Sequence, residues 1–380
     1  MKVGIPVSLT GQFQVQGGQA LAGLQAWADD VNHAGGISIG LVGNPRPVLV
    51  AHYDDASKAG PVRRATERLI TEDRVDLLFG PYSGALTQAA AEVAENHGKL
   101  LWNQGGASDS IYEQGFRWVV GVLTPASEYL TGLLPMLREA DPSLASLAIL
   151  RASPGAFSRA VSSGVERQAE QLGIKLSLLH EFSPSVTDFG DILDEVERVD
   201  PDVLLVIGRI HNDLRFARQL VERGIALKAV ALVAAPIQQF YDALGDEAQG
   251  FIGPSQWEAS GSYLNGYGPT GDQVLESLGR MSGHQVDYPM VQAYAAGLVA
   301  QRCLEVAGTL DDWALRDTAM SQDFSTFYGG FKIDPANGRQ IGRSVVIVQW
   351  QNGRKVIVWP PEQRKGELVY PWRGTGRQGG

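Results

Sequence analysis

The chain has 380 residues, of which 44% are hydrophobic and 19% charged, and its formal net charge is −10. This length predicts about two globular domains, and the composition argues against a disordered or fibrous chain. The acidic balance argues against a nucleic-acid binder, and no apolar run reaches the roughly 18 residues of a membrane-spanning helix.

Strand-like and helix-like segments alternate along the first half of the chain. Short apolar runs predict strands over residues 2–7, 48–53, 75–80 and 99–102. Apolar residues at spacings of three and four predict helices over 17–33, after Pro61, and over about 85–97. This alternation is typical of βαβ units and a parallel sheet. Because the first strand begins at residue 2, an exported protein would already have lost its signal peptide.

The second half repeats this rhythm and ends in a hairpin. Strands are predicted over 146–150, 202–208 and 228–233, with helices over about 156–172, 212–223 and 271–307. Asn352-Gly353, between SVVIVQW and KVIVW, predicts a tight hairpin turn.

Three stretches have extended or turn-rich character and could join two sheets, namely 119–127, 250–258 and 327–338. We therefore expect an N-terminal lobe and a C-terminal lobe, each built from two chain segments. The predicted bounds are 1–121 with 253–328 for the first lobe, and 122–252 with 329–380 for the second.

No catalytic or metal-binding motif is found. The sequence has no HExxH, no CxxC, no GxSxG and no Walker A loop. A literal GxGxxG at Gly266, Gly268 and Gly271 follows a polar loop and contains Pro269, which favours a simple loop before a helix. Asp54-Asp55 could bind a metal or share a proton, but the favoured interpretation is a turn in which the carboxylates accept backbone N–H groups. We expect no enzyme activity, no metal and no cofactor.

Small polar residues fill three loops of the first half. These loops, at 8–12 (SLTGQ), 80–88 (GPYSGALTQ) and 103–110 (NQGGASDS), each follow a predicted strand. Ligands of open α/β sheets bind at the carboxyl ends of the strands, and free N–H groups at a helix start favour a carboxylate or carbonyl oxygen. The loops could also be ordinary turns and caps, but their common position favours a ligand site.

Together these residues resemble the leucine/isoleucine/valine-type solute-binding proteins of ABC importers. The resemblance rests on the order and spacing of KVGIPVSLTGQ, YDDAS, FGPYSGALTQAAAEVAE, LWNQGGASD, PDVLLVIG and FKIDPANG. It implies the type I periplasmic binding protein fold, in which two Rossmann-like lobes are joined by a three-segment hinge and hold a ligand cleft. It also implies a monomer that acts outside the cytoplasm, in the periplasm or anchored by lipid, and delivers a small ligand to a membrane permease.

The resemblance also suggests binding residues in the first lobe. Relatives hold a carboxylate or amide through small hydroxyl side chains and backbone N–H groups of two loops. Carried over, the candidates are Ser83, Gly84, Gly105, Gly106, Ala107 and Ser108. The usual serine falls nearer Gly84 and the usual threonine nearer Ala107, so the pattern is altered at two positions. Tyr82 and Trp102 are either pocket walls or core aromatics.

The second lobe departs further from the pattern. Amino-acid binders of the family place a tyrosine in the loop matching 151–157 and an acid in the loop matching 231–237, but RASPGAF and ALVAAPI have neither. An unpaired ammonium in a closed cleft would be costly, so a plain amino acid is disfavoured. Arg209 instead either clamps a ligand carboxylate or is a solvated surface side chain. Phe157, Gln256 and Trp257 are weaker lining candidates.

The predicted ligand is therefore a small organic molecule with a carboxylate or amide and an apolar or aromatic body. Three alternatives stay open from the sequence. They are a cytoplasmic sensor of the same fold that regulates gene expression, an enzyme, and the sensory lobe of a larger receptor.

Overall fold

The computed structural model describes residues 1–40, 44–282 and 286–372, and the chain divides into two compact units. The first unit contains Met1–Pro125 and Tyr263–Ser344, and the second contains Ala126–Ser262 and Val345–Gly380. The chain thus passes between the units three times, after residues 125, 262 and 344.

A parallel five-stranded sheet forms the centre of the first unit. Its strands are β1 (Lys2–Val7), β2 (Leu49–Asp54), β3 (Leu77–Phe79), β4 (Leu101–Asn103) and β5 (Val119–Gly121). They lie in the order β2-β1-β3-β4-β5, and all neighbouring pairs run parallel. The carboxyl ends of β1 to β4 therefore lie along one edge, which we call the first carboxyl edge.

Helices cover both faces of this sheet, as a parallel sheet requires. The first-unit helices are α1 (Gln14–His33), α2 (Ala59–Thr71), α3 (Gly84–His97), α9 (Gly271–Ser282), α10 (Tyr288–Ala307) and α11 (Asp312–Ser321). Helices α2 and α3 pack on one face, in a core that includes Val62, Leu78 and Leu101. On α1, Trp27 packs directly against Gly297 of α10 because that glycine has no side chain. A short hairpin, β11 (Phe324–Thr326) and β12 (Gly329–Phe331), completes the unit.

The second unit is built on a seven-stranded mixed sheet. Its strands are β6 (Ser146–Ala152), β7 (Lys175–Phe182), β8 (Val203–Ile207), β9 (Ala229–Leu232), β10 (Ile252–Ser255), β13 (Val346–Gln351) and β14 (Arg354–Trp359). Their order is β14-β13-β10-β9-β8-β6-β7, with β10, β13 and β14 paired antiparallel and the others parallel. The carboxyl ends of β6, β8 and β9 form what we call the second carboxyl edge.

In the described residues, α-helices pack around this sheet. They are α4 (Leu133–Ala140), α5 (Ala156–Leu172), α6 (Gly190–Val199), α7 (Ile210–Arg223) and α8 (Gln238–Leu244). Fully buried Phe189, Phe216 and Phe240 lie in one core cluster of this unit, together with Leu204 and Val206 of β8 and Val230 and Leu232 of β9. The predicted α/β fold of two lobes is confirmed, including the hairpin turn at Asn352-Gly353, where both residues have positive φ.

The unit boundaries differ from those expected. The predicted bounds place residues 252 and 253 in different lobes, but Ile252–Ser255 forms one strand that pairs with β9 and β13. Residues 329–331 were assigned to the second lobe, but they pair with Phe324–Thr326 in the first unit. Backbone pairing decides which unit a strand joins, and turn-rich composition alone does not reveal that pairing.

A polar cluster fixes the C-terminal segment to the second unit. Lys228 Nζ lies 3.0 Å from an Asp141 carboxylate oxygen and 2.9 Å from one of Asp202. The Tyr370 hydroxyl donates to Asp141 at 2.8 Å, and Trp372 N–H donates to the Lys228 carbonyl at 2.8 Å. Hydrogen bonds from Ser143, Tyr370 and Lys228 lower the pKa of Asp141.

We expect this cluster to make stability depend on acid. A carboxylate whose pKa is lowered by folding stabilises the fold above its ordinary pKa of about 4, and this stabilisation is lost as pH falls through the lower folded value. Asp141→Asn should therefore lower the urea midpoint at pH 7, with the difference from wild type shrinking towards pH 2. Asp246→Asn, at an exposed position, is the control and should match wild type throughout. If the urea midpoint of Asp141→Asn lies below that of wild type by the same amount at pH 7 and pH 2, the Asp141 carboxylate is not the source of the acid dependence.

Candidate functional site

Two of the predicted ligand loops are bound to each other at the first carboxyl edge. Ser83 N–H donates to the Gly105 carbonyl at 3.0 Å, and Gly80 N–H donates to the Trp102 carbonyl at 2.9 Å. The side-chain amide of Gln104 donates to the Gly80 carbonyl at 2.8 Å. The 80–88 and 103–110 loops therefore form one paired surface.

Glycines allow this close approach. A Cβ on Gly84 would lie 2.1 Å from Ser108 Oγ, and one on Gly105 would lie 2.3 Å from the Pro81 carbonyl oxygen. A Cβ on Gly106 would lie 2.5 Å from Thr87 Oγ1. The structure thus brings the two loops together at these positions. Gly105, Gly106, Ala107 and Ser108 are buried where the loops meet, and Ser83 and Gly84 are half-buried.

The buried side chain of Asn103 holds the second loop in place. Its Oδ1 accepts the N–H groups of Gly105 at 3.3 Å and Gly106 at 2.8 Å. Its Nδ2 donates to the Gly106 carbonyl at 2.7 Å and to the Tyr112 hydroxyl at 2.9 Å. Because Asn103 occupies the N–H groups of Gly105 and Gly106, these two glycines shape the loop rather than offer donors in this conformation.

Donors remain at the start of α3. Ser83 caps this helix with φ of 84°, and its Oγ accepts Leu86 N–H at 3.5 Å. In the described part of the chain, the first-turn N–H groups of Gly84 and Ala85 have no hydrogen-bond partner. Two N–H groups at a helix N-terminus favour a carboxylate or carbonyl oxygen.

The two aromatic candidates of the first lobe lie in different surroundings. Half-buried Tyr82 packs edge-on against Phe13, with ring centroids 5.6 Å apart, and its hydroxyl is hydrogen-bonded to that of Tyr288. Trp102 has no exposed surface and lies within β4, so it is a core aromatic. Tyr82, Phe13 and Tyr288 thus form an aromatic group beside the paired loops.

The 8–12 loop is held by the two aspartates that follow β2. Asp54 accepts the N–H groups of Leu9 and Thr10, at 3.0 and 3.2 Å. Buried Asp55 accepts the Ser8 hydroxyl at 2.6 Å and the Ser57 N–H at 2.8 Å. Both carboxylates therefore act in the turn, as the favoured interpretation predicted.

Two neighbouring glycines of α1 test how tightly this loop is packed. A Cβ on Gly17 would lie 2.1 Å from the Ser8 carbonyl oxygen, whereas one on Gly18 would meet nothing within 4 Å. We expect Gly17→Ala to cost about 1–3 kcal/mol through overpacking, and to weaken ligand binding by displacing the loop. Gly18→Ala should stabilise the helix by about 0.5–1 kcal/mol. Urea unfolding of both variants measures the contrast, and equal stabilities would show that the loop can move at no cost.

Arg209 lies at the second carboxyl edge, directly before α7. It is exposed, and its N–H donates to Asn212 Oδ1 at 3.3 Å. Its neighbour Gly208 contacts the buried carboxylate of Asp213, which also accepts the N–H of Ala234 at 2.9 Å. The end of β8 and the loop after β9 are therefore joined beside Arg209.

The other two candidates of the second unit are packed against neighbours. Phe157, in the first turn of α5, makes an edge-on contact with Tyr129 at 5.5 Å between ring centroids. Trp257 is 7% exposed, and its carbonyl accepts the Ser255 hydroxyl at 3.0 Å. Gln256 Nε2 donates to the Tyr129 hydroxyl at 3.0 Å. Packing is the clear role of Trp257, whereas half-buried Phe157 keeps an exposed part.

Sequence reasoning missed four residues that shape these edges, namely Phe13, Asn103, Asp213 and Tyr288. A polar residue at the end of an apolar strand could have identified Asn103, since LLW is followed directly by Asn. The contribution of Tyr288 depends on a contact across more than two hundred positions, which no local pattern indicates.

Within residues 1–40, 44–282 and 286–372, no group of three or more His, Cys, Asp or Glu side chains is placed to hold a metal ion. In the same ranges, no helix has the length and apolar character needed to cross a membrane.

Known proteins resemble the chain over nearly its whole length. The model of the family described as periplasmic binding protein matches residues 1–355. A Leu/Ile/Val-binding protein homolog of Brucella abortus is 22% identical over 391 residues, covering 98% of this chain and 94% of the relative.

Solved structures share the fold at low sequence identity. The branched-chain amino acid binding protein LivJ of Streptococcus pneumoniae, in complex with isoleucine, superposes with a TM-score of 0.79 at 16% identity, covering 98% of this chain and 99% of LivJ. A solute-binding protein of R. palustris, in complex with benzoate, superposes with a TM-score of 0.76 at 16% identity, covering 99% of both chains.

Proposed function

Because the chain belongs to the periplasmic binding protein family, we propose that it captures a small organic acid or amide for an ABC importer. It is a solute-binding protein and not an enzyme, in agreement with the absence of catalytic motifs from the sequence. The alternative of a cytoplasmic sensor is not favoured, because the relatives and structural neighbours are binding proteins of transporters.

The observation that carries the proposed ligand class is the start of α3. Gly84 and Ala85 present two N–H groups without hydrogen-bond partners among the described residues, beside the aromatic group of Phe13, Tyr82 and Tyr288. Such donors suit a carboxylate or carbonyl oxygen, and the rings suit an apolar or aromatic body. Ser83 and Ser108 add hydroxyl groups at the same surface.

The second carboxyl edge supports an acid rather than an amino acid. Arg209 offers a guanidinium that can bind a carboxylate through two parallel hydrogen bonds. The 231–237 loop has no acidic side chain to pair with an ammonium group. One structural neighbour was solved with isoleucine and another with benzoate, so the fold accommodates both amino acids and aromatic acids. Arg209 and the lack of an acid in the 231–237 loop favour an organic acid for this chain.

Capture and delivery follow from the family role. Capture would involve hinge motion at the three connecting segments, the mechanism known for two-lobed binding proteins. The loaded protein would then dock on a membrane permease outside the cytoplasm, as a monomer. Support for this partner and location comes from the relatives, which are transporter binding proteins.

Titration calorimetry with benzoate, benzamide, benzylamine and isoleucine tests the ligand class. We expect heat of binding and thermal stabilisation with benzoate or benzamide, and a weaker response to benzylamine. A ligand at 100 times its Kd should stabilise the fold by about 2.7 kcal/mol. The proposed class is wrong if isoleucine or benzylamine binds more tightly than both benzoate and benzamide, or if none of the four binds.

A further inference from the structure

A buried carboxylate joins two strand ends at the second carboxyl edge. Asp213 lies in the first turns of α7 and has no exposed surface. Its Oδ2 accepts the N–H of Ala234 at 2.9 Å, and its Oδ1 lies against Gly208, where an added Cβ would be 2.4 Å away. Ala234 follows β9, and Gly208 follows β8, so one side chain holds the backbone after two neighbouring strands.

The fit around this carboxylate is tight. A Cβ on Gly208 would lie 2.4 Å from Asp213 Oδ1, so no larger residue fits at position 208 without movement. Asp213 Oδ1 is buried and has no hydrogen-bond partner in the described ranges. A buried polar atom without a partner costs stability, which calls for a compensating role.

We propose that Asp213 is a positioning residue for the ligand site, which holds Arg209 and the 233–237 loop in fixed relation to each other. This inference rests on the proposed function, because Arg209 and the loop lie at the edge assigned to the ligand. Gly208 directly precedes Arg209, so the close packing of Gly208 against Oδ1 restricts where the Arg209 side chain begins. The bond to Ala234 does the same for the loop that follows β9.

Positioning the 233–237 loop requires a hydrogen-bond acceptor at Asp213 and not a negative charge. Burial, opposed by the N–H of Ala234, raises the pKa of Asp213 to about 8, so the side chain is mostly neutral at pH 7. An asparagine has nearly the same shape and keeps one carbonyl oxygen that can accept N–H groups. Asp213→Asn should therefore preserve the function that Asp213→Ala destroys.

Hydrogen exchange of the Ala234 amide tests the positioning without any ligand. In Asp213→Ala we expect at least tenfold faster exchange at this amide, and in Asp213→Asn near-wild-type exchange. Gly208→Ala places a methyl group against Oδ1 and should also speed exchange at Ala234. This variant replaces Asp213→Ala in the test if Asp213→Ala does not fold. Wild-type exchange at Ala234 in the folded alanine variants would overturn the proposal.

Asp202 provides a matched control on the same sheet. Its carboxylate also accepts two backbone N–H groups, from Ala145 at 2.7 Å and Ser146 at 3.0 Å. These residues lie at the start of β6, so Asp202 is at the amino-terminal end of the parallel strands, opposite the second carboxyl edge. Asp202→Ala should lower stability without changing exchange at Ala234. Acceleration at that amide equal to that in Asp213→Ala would show a general loss of stability and overturn the proposal.

Affinity for benzoate completes the test. We expect a Kd at least tenfold higher in Asp213→Ala, an unchanged Kd in Asp202→Ala, and rescue in Asp213→Asn. If no ligand binds the wild type, the ligand class is wrong, while hydrogen exchange still decides whether Asp213 positions the loops. If benzoate binds all variants equally, Asp213 does not position the ligand site, and the proposed function stands.

Discussion

Replacing Asn103 by alanine should abolish measurable benzoate binding and lower the free energy of unfolding by about 3 kcal/mol or more. The Asn103 amide makes four hydrogen bonds, to the N–H groups of Gly105 and Gly106, the Gly106 carbonyl and the Tyr112 hydroxyl. With alanine at this position, all four partner groups lose their hydrogen bond to the Asn103 amide. The 103–110 loop should then move away from the 80–88 loop, and the paired surface at α3 should be lost.

Asn32 is the matched control for this substitution. Its amide also makes reciprocal hydrogen bonds to a backbone, donating to the Val48 carbonyl at 2.9 Å and accepting Val48 N–H at 2.7 Å. It lies near the end of α1, before β2, away from the first carboxyl edge. Asn32→Ala should therefore reduce stability in urea while leaving the Kd for benzoate unchanged. Retained affinity in folded Asn103→Ala would contradict the role of the paired loops.

Replacing Arg209 by methionine should raise the Kd for benzoate by about 10- to 150-fold, the equivalent of a charge-assisted hydrogen bond of 1.5–3 kcal/mol. Benzamide, which has no charge, should lose less affinity. Because Arg209 is exposed, stability should change little, and isothermal titration can compare wild type and variant at the same temperature.

Arg215→Met separates this local effect from a change in overall charge. Arg215 is exposed on the same helix α7, and its guanidinium donates to the Val186 carbonyl at 3.4 Å. The two substitutions remove the same charge, so a general electrostatic effect would weaken benzoate binding equally in both. Equal losses would identify Arg209 as an ordinary surface arginine, which was the second interpretation of the sequence.

The order of elements could be predicted because local patterns determine it. The apolar run DVLLVIG predicted β8, and Asn352-Gly353 predicted the turn between β13 and β14. Less regular elements were missed. Strand β7, KLSLLHEF, lies at the end of the sheet, and all its residues except Phe182 are exposed or half-buried, so it has no continuous apolar run.

The candidate site was predictable in position but not in detail. Loop composition located the 80–88 and 103–110 loops, which do pair in the structure. The sequence did not reveal that Asn103 occupies the N–H groups of Gly105 and Gly106, because the same residues could form an open loop. Nor did it reveal Asp213, since a carboxylate in the first turn of a helix is ordinarily a solvated cap.

The three passages of the chain between the units also affect the timing of folding during synthesis. The first unit lacks α10 until residues 288–307 have been made, so Trp27 has no packing partner at Gly297 while the first 287 residues emerge. The second unit lacks β13 and β14 until residues 346–359 have been made. Neither core can therefore be completed until most of these residues have been synthesised. Cores that are completed late keep the emerging chain unfolded for longer.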